Sequence, residues 1–146
     1  MAKRFTDTLI WDDDWFYELS PEYKLFWFYI KDDCDHAGIW KPKTKAFAKL
    51  TDINIDLDKA LSYFNEGKQR IRKLSNGYWF IEDFFCFQYV KKSRLINLNS
   101  KVHKSIYDLY ESMGISLSSV NGIDEVVTET GEIMKVADFE YIFRRV

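Results

Sequence analysis

The chain has 146 residues, 47% hydrophobic and 30% charged, with a formal net charge of −2. That length predicts one domain, or one domain with an appendage, able to hide roughly 70% of its unfolded surface, and the composition excludes a disordered chain. There is no apolar run of about eighteen residues and no apolar stretch ahead of the acids in MAKRFTDTLIWDDDW, which argues against a membrane-spanning helix and a signal peptide; with Cys34 and Cys86 as its two cysteines, the chain is expected to be cytoplasmic with free thiols.

Nine aromatic residues fall between Trp15 and Trp40, and they belong either to a core or to a ligand cage. Ser20 as N-cap and Pro21 at the first helical position announce a helix, with Glu18 and Glu22 near its positive end. Tyr23, Phe26, Trp27 and Ile30 follow helical spacing, while Leu25, Phe28 and Tyr29 fill the other sides, so this helix is expected to be buried all round. Cages need exposed rings converging from loops, so the rings are assigned to a core, with Trp11, Trp15 and Phe16 packing from the preceding segment.

The helix stops before Ala37-Gly38, and Gly38-Ile39-Trp40 reads as a short strand. Thr44 is placed to cap a second helix carrying Ala46, Phe47, Ala48 and Leu50. Asn54 and Asp56 precede a third, with the stripe Leu57, Ala60, Leu61 and Phe64, closed by Asn65-Glu66-Gly67. Two strand-like runs then flank Asn76-Gly77, the strongest short hairpin signal. A two-residue turn there pairs Leu74 with Trp79 and puts Arg70, Arg72, Trp79 and Ile81 on one face. The run Phe84 to Val90 is extended or briefly helical. Asn99 or Ser100 caps a fourth helix with Val102, Ile106, Leu109, Tyr110 and Met113 on its buried side, ending at Gly114. Beyond it, Val126 to Val136 is patterned as a small hairpin and Ala137 to Val146 as a short helix, a tail that either packs back on the domain or exchanges between chains.

Charge is segregated along the chain. Residues 1–40 carry −5, residues 41–105 carry +8 and residues 106–146 carry −5, which predicts a basic face flanked by acidic ends.

The element order, long helix, short strand, two helices and a hairpin, is that of an α+β winged helix-turn-helix. The wording is more specific: Thr6-Asp7-Thr8, Trp11, Trp15-Phe16, Leu19-Ser20-Pro21, Lys24-Leu25, Cys34-Asp35-His36-Ala37-Gly38-Ile39-Trp40, Asn76-Gly77, Trp79-Phe80-Ile81 and Phe87-Gln88-Tyr89. Together these resemble the N-terminal winged-helix domain of phage replication proteins of the replisome-organiser type, related to the N-terminal domain of DnaD. The resemblance covers roughly residues 5–114 and leaves 115–146 as a C-terminal extension. It implies a bacterial or prophage-encoded protein of replication initiation that binds DNA, self-associates, and helps bring the replicative helicase or its loader. Members often continue into a further domain that binds the helicase machinery, where this chain has a short acidic tail.

The second departure is physical. The presumed recognition helix begins Asp56-Leu57-Asp58, placing carboxylates where such helices usually meet base edges. DNA contact is therefore expected from Lys59 and Tyr63 on that helix only as accessories. The main contacts are expected from Lys41, Lys43, Lys45 and Lys49 around the second helix, Lys68, Arg70, Arg72 and Lys73 on the wing's first strand, and Lys91, Lys92 and Arg94 after its second. Such contacts predict weak, salt-sensitive binding to duplex DNA with little sequence preference. The alternative is a protein–protein or oligomerisation module of a replication complex, with the same cations as a solvated face.

Nothing in the chain points to catalysis or a cofactor. Cys34 and His36 are two ligand types at close spacing, with Cys86 and His103 far along the chain, so helix-end turn chemistry is expected there and not a zinc site. Asp12-Asp13-Asp14 are consecutive and cannot converge as ligands from separate strands do; a solvated turn is expected.

Overall fold

A computed structural model describes residues 3–90 and 94–143. The protein is α+β with small sheets, and the chain divides into two compact units, Met1–Glu82 and Asp83–Val146. The boundary read from the sequence, between 114 and 115, differs from this division. Its physical reason is a strand at Leu95–Asn97, which pairs with Glu125–Val127 and so ties the residues before 115 to those after it. No helix among the described residues is long and apolar enough to cross a membrane.

In the first unit Asp7 caps a 3-10 turn, Thr8–Asp12, its carboxylate accepting from the Leu9 N–H at 2.9 Å. Helices α1 (Asp14–Tyr17) and α2 (Pro21–Asp33) follow. Proline starts α2 at no loss, because the first turn leaves its N–H groups unpaired anyway. The Glu22 carboxyl lies below its usual range, held first by a backbone hydrogen bond and then by the Ser20 side chain. Beyond α2, the Asp35 carboxylate accepts from the N–H groups of Ala37 at 2.9 Å and Ile39 at 3.0 Å, so Cys34-Asp35-His36 is a turn.

The turn delivers the chain into β1 (Ile39–Trp40), followed by α3 (Lys45–Thr51), α4 (Leu57–Phe64), β2 (Ile71–Lys73) and β3 (Trp79–Ile81). The sheet order is β1-β3-β2, antiparallel throughout. Its core is a ring cluster: Phe26 meets Trp40 at 5.6 Å and Phe47 at 5.2 Å, Trp27 meets Phe64 at 5.0 Å, and Trp40 meets Trp79 at 5.0 Å. Each such edge-on pair adds about 0.5–1.5 kcal/mol to what area burial supplies. The burial of α2 is one-sided, with Phe26, Trp27 and Ile30 inside and Leu25 45% exposed; Leu50 of α3 and Trp11 are exposed as well.

The hairpin register differs from the two-residue turn read from Asn76-Gly77. Leu74 N–H donates to Tyr78 O at 2.7 Å, Gly77 N–H donates to Leu74 O at 2.9 Å, and Gly77 has φ +88°. This is a three-residue loop, a tight turn closed by a left-handed glycine. The Asn76 carboxamide favours it by accepting from Tyr78 N–H at 2.9 Å. The pairing becomes Lys73 with Trp79, Arg72 with Phe80 and Ile71 with Ile81. A one-residue slip changes every face, so Arg72 sits beside Phe80 and Lys73 shares the side of Trp79.

In the second unit Phe84 and Phe85 begin a turn that widens over Cys86–Val90. Strand β4 (Leu95–Asn97) runs parallel to β5 (Glu125–Val127), which pairs antiparallel with β6 (Ile133–Lys135). Between them α5 (Lys101–Ser112) is capped by Ser100, and α6 (Val136–Phe143) follows β6. Ile96, Ile106, Tyr110, Phe85, Val126 and Phe139 are all buried. Val102, expected on the buried side of α5, is 49% exposed.

Candidate nucleic-acid interface

The seven lysines that the sequence nominates in the first unit, Lys41, Lys43, Lys45, Lys49, Lys59, Lys68 and Lys73, are all exposed. Lys45 and Lys49 are one helical turn apart on α3 and share its outer face. Trp40, Trp79 and Lys73 form one row across the sheet, so Lys41 and Lys73 lie at the same end of its two edge strands, about 10 Å apart by strand spacing. That end also carries the turn at 75–77. Lys68 enters β2 from the opposite end and is not brought to this group.

The two arginines behave differently, because each is held by the fold. Arg70 Nη1 donates to the carbonyls of Glu66 at 2.8 Å, Phe64 at 3.2 Å and Lys68 at 3.3 Å, and its guanidinium lies 4.1 Å from the Trp15 ring centroid. It closes the negative end of α4 while stacking on an aromatic face. Arg72 makes a two-pronged pair with Glu82, Nε to Oε1 at 2.8 Å and Nη2 to Oε2 at 3.0 Å, over the Phe80 ring. Glu82 is buried. Of the cations that the sequence nominates at β2, Arg70 and Arg72 are therefore tied into the fold, and Lys73 is exposed.

The residues that the sequence reading missed are the partners of these cations. Asn65, at the end of α4, accepts from the N–H groups of Arg70 and Ile71, both at 2.8 Å, and donates to Ile71 O at 3.0 Å, which fastens helix to strand. Glu82 carried a local signal: an acid directly after the apolar run Trp79-Phe80-Ile81, ten residues from Arg72, marks a charge at the edge of a core.

On α4 the Asp56 carboxylate accepts from the N–H groups of Asp58 at 3.0 Å and Lys59 at 3.2 Å, the work of an N-cap. Asp58 and Lys59 are exposed, and Tyr63 is 39% exposed with its ring edge-on to Tyr23 at 5.0 Å. An exposed carboxylate in the first turn repels phosphate at the end of the helix that would read bases.

Lys91 and Lys92 lie outside the described residues. Arg94 belongs to the second unit, where its Nε pairs with Asp124 Oδ2 at 2.6 Å; that hydrogen bond raises the arginine's pKa and lowers the carboxyl's. Among the described residues no three His, Cys, Asp or Glu side chains gather as a metal ion would need. The Cys34 thiol donates to Lys31 O at 3.2 Å, and burial pushes its pKa up to about 12, the opposite of a ready thiolate. The chain matches no family model, no curated protein and no solved structure.

Proposed function

We propose that the first unit is a winged-helix DNA-binding domain, of the kind found in phage replisome organisers and DnaD-like proteins, that serves replication initiation and self-associates. The element order α2, β1, α3, α4, β2, β3 and the sheet order β1-β3-β2 support the winged-helix reading, with α3 and α4 as the helix-turn-helix and β2–β3 as the wing. One observation carries the DNA reading: every nominated lysine of this unit is exposed, whereas both arginines are held within the fold. Duplex is held by lysine ammonium groups on phosphates, from the outer face of α3 and the turn end of the sheet. Lysine is a point charge without the arginine fork, and α4 presents Asp58, so grip without base reading follows. The replicative helicase or its loader is the expected protein partner.

The test is fluorescence anisotropy of labelled duplex and single-stranded DNA, at low and physiological salt. With about three to five phosphates engaged, log affinity falls against log salt with a slope of roughly −3 to −5. Changing Lys45, Lys49 and Lys73 together to Ala weakens duplex binding about tenfold or more at low salt and flattens that slope. Arg70 and Arg72 are unsuitable targets, since their loss disturbs the fold. Absence of binding at low salt would overturn the DNA reading for this chain and leave a protein–protein module.

A further inference from the structure

The chain contains the pairs Asn76-Gly77 and Asn121-Gly122. A glycine after asparagine leaves the next backbone nitrogen unshielded by any side chain, so that nitrogen is able to attack the carboxamide carbon. The fold treats the two pairs differently.

Asn76 is exposed at the tip of the β2–β3 turn, and its carboxamide oxygen accepts from the Tyr78 N–H at 2.9 Å. That donor draws electrons from the carbonyl and steadies the oxyanion that forms when its carbon is attacked. The space round Gly77 is open, since a Cβ there would meet nothing within 4 Å. The Gly77 N–H donates to Leu74 O at 2.9 Å, a bond internal to the three-residue loop that is released when the tip opens locally. Asn121 is held from the other side of its amide, its Nδ2 donating to Asp83 Oδ1 at 2.9 Å. A carboxylate acceptor pushes electrons into the amide, which makes the carbonyl carbon a poorer target and retains the nitrogen that would leave. Gly122 is packed as well: a Cβ there would lie 2.3 Å from Cys86 Sγ, so the backbone moves against a side chain and not into solvent.

We infer that Asn76-Gly77 is a site of self-modification, at which the hairpin tip converts to aspartyl and isoaspartyl forms, while Asn121-Gly122 is protected. The Gly77 nitrogen gives its proton to hydroxide and attacks Asn76 Cγ. A new N–C bond closes a succinimide ring as the Cγ–Nδ2 bond breaks, and ammonia leaves with a proton from water. Water then adds to one ring carbonyl. Cleavage of the ring bond at Cγ leaves an aspartyl residue, and cleavage at the backbone carbonyl carbon leaves an isoaspartyl residue whose main chain runs through the former side chain. Each product sets a new carboxylate at the end of the sheet that carries Lys41 and Lys73. The aspartyl form keeps an acceptor for the Tyr78 N–H, whereas the isoaspartyl form lengthens the loop and undoes its closure between Leu74 and Tyr78. The consequence for DNA rests on the function proposed above: the added charge alone weakens duplex binding about twofold to threefold at low salt.

The test ages the full chain in warm, mildly alkaline buffer made with heavy-oxygen water, and follows each pair by peptide mass spectrometry. Asn76 converts about tenfold faster than Asn121, the difference that one hydrogen bond to a charged group makes, and enzymatic isoaspartyl methylation falls on the peptide holding position 76. In guanidinium chloride the two pairs convert at similar rates, because the fold no longer separates them. An Asn76 that stays intact in the folded chain, or converts no faster than Asn121, would overturn the inference. Asn76→Gln, whose longer side chain closes a ring poorly, abolishes the isoaspartyl signal, and Asn76→Asp reproduces the charge without the lengthened backbone. Duplex anisotropy on fresh and aged samples keeps the two ideas apart. Conversion in a chain that binds no DNA removes only the DNA reading, and DNA binding with Asn76 unconverted removes only the modification. Binding that is unchanged both by full conversion and by Asn76→Asp would overturn the weakening at the hairpin.

Discussion

The two units solve the same problem with different chemistry. Each has a three-stranded sheet, and each closes its hairpin with the same loop. In the first, Leu74 N–H meets Tyr78 O at 2.7 Å and Gly77 has φ +88°; in the second, Thr128 N–H meets Glu132 O at 2.8 Å and Gly131 has φ +89°. Each also fastens a helix to a strand through one side chain. The first uses the Asn65 carboxamide on β2; the second uses the His103 imidazole, whose Nδ1 accepts from the Asn97 N–H of β4 at 2.9 Å. Backbone geometry is therefore shared, and the difference lies in charge. Beside the first hairpin the half-buried Arg72 is paired with the buried Glu82, whereas the second sheet is clasped to its helix, at β4, by a group that titrates.

The largest expected effect breaks the pair of Arg72 and Glu82. In Glu82→Ala the Arg72 guanidinium, 26% exposed, loses its partner, and the first unit loses about 2–3 kcal/mol, below the fully buried range because Arg72 reaches water. The comparable position in the second hairpin is the cross-strand pair Glu125 and Lys135, where Lys135 is exposed and its change to Ala costs under about 0.5 kcal/mol. All five tryptophans lie between positions 11 and 79, so their fluorescence on denaturation reports the first unit alone. A Glu82→Ala change indistinguishable from wild type would mean that Arg72 is not held as described and is available to phosphate.

The next effect sharpens the shared loop. A Cβ at Gly77 or Gly131 meets nothing within 4 Å, so Gly77→Ala and Gly131→Ala cost backbone strain only, about 1–2 kcal/mol each. The losses should be equal, with Gly77→Ala seen by tryptophan fluorescence and Gly131→Ala by hydrogen exchange in β5 and β6. If both probes move together for both variants, the units unfold as one.

What could be read from the sequence was what local chemistry determines. Ser20-Pro21, the Asp56 cap and the presence of a turn at Asn76-Gly77 each depend on a few neighbouring residues. Lysine exposure was legible for the same reason, since an ammonium group is almost never buried unpaired. The register was not, because two-residue and three-residue loops both accept Asn-Gly, and the choice falls to the burial of Trp79 and Ile81 on one side and Phe80 on the other. Nor were the arginine roles legible, because a guanidinium's partners lie wherever the chain returns: Trp15 for Arg70, Glu82 for Arg72. The boundary at Glu82 escaped because β4 and β5 pair in parallel across an intervening helix, and such pairing leaves no turn signal between the strands.

The smallest effect separates the two clasps by pH. His103 is partly buried against Phe85, ring centroids 5.3 Å apart, and burial lowers its pKa below the usual 6.5. Its Nδ1 is already an acceptor, so protonation there would set two donors, the new N–H and the Asn97 N–H, against each other. The unfolded chain thus binds the proton more readily than the folded one. The stability from neutral His103 is complete above the unfolded pKa and is lost as pH falls below it toward the lower folded value, a change of less than about 1 kcal/mol given the ring's partial exposure. Exchange of the Asn97 amide should therefore quicken, beyond the intrinsic rate, between about pH 7 and pH 5, while the Ile71 amide held by Asn65 shows no such step. His103→Asn, which keeps an acceptor near the Nδ1 position, should abolish the step at the cost of some packing on Phe85. A step that survives this change, or one shared by the Ile71 amide, would show that the imidazole is not what distinguishes the two units.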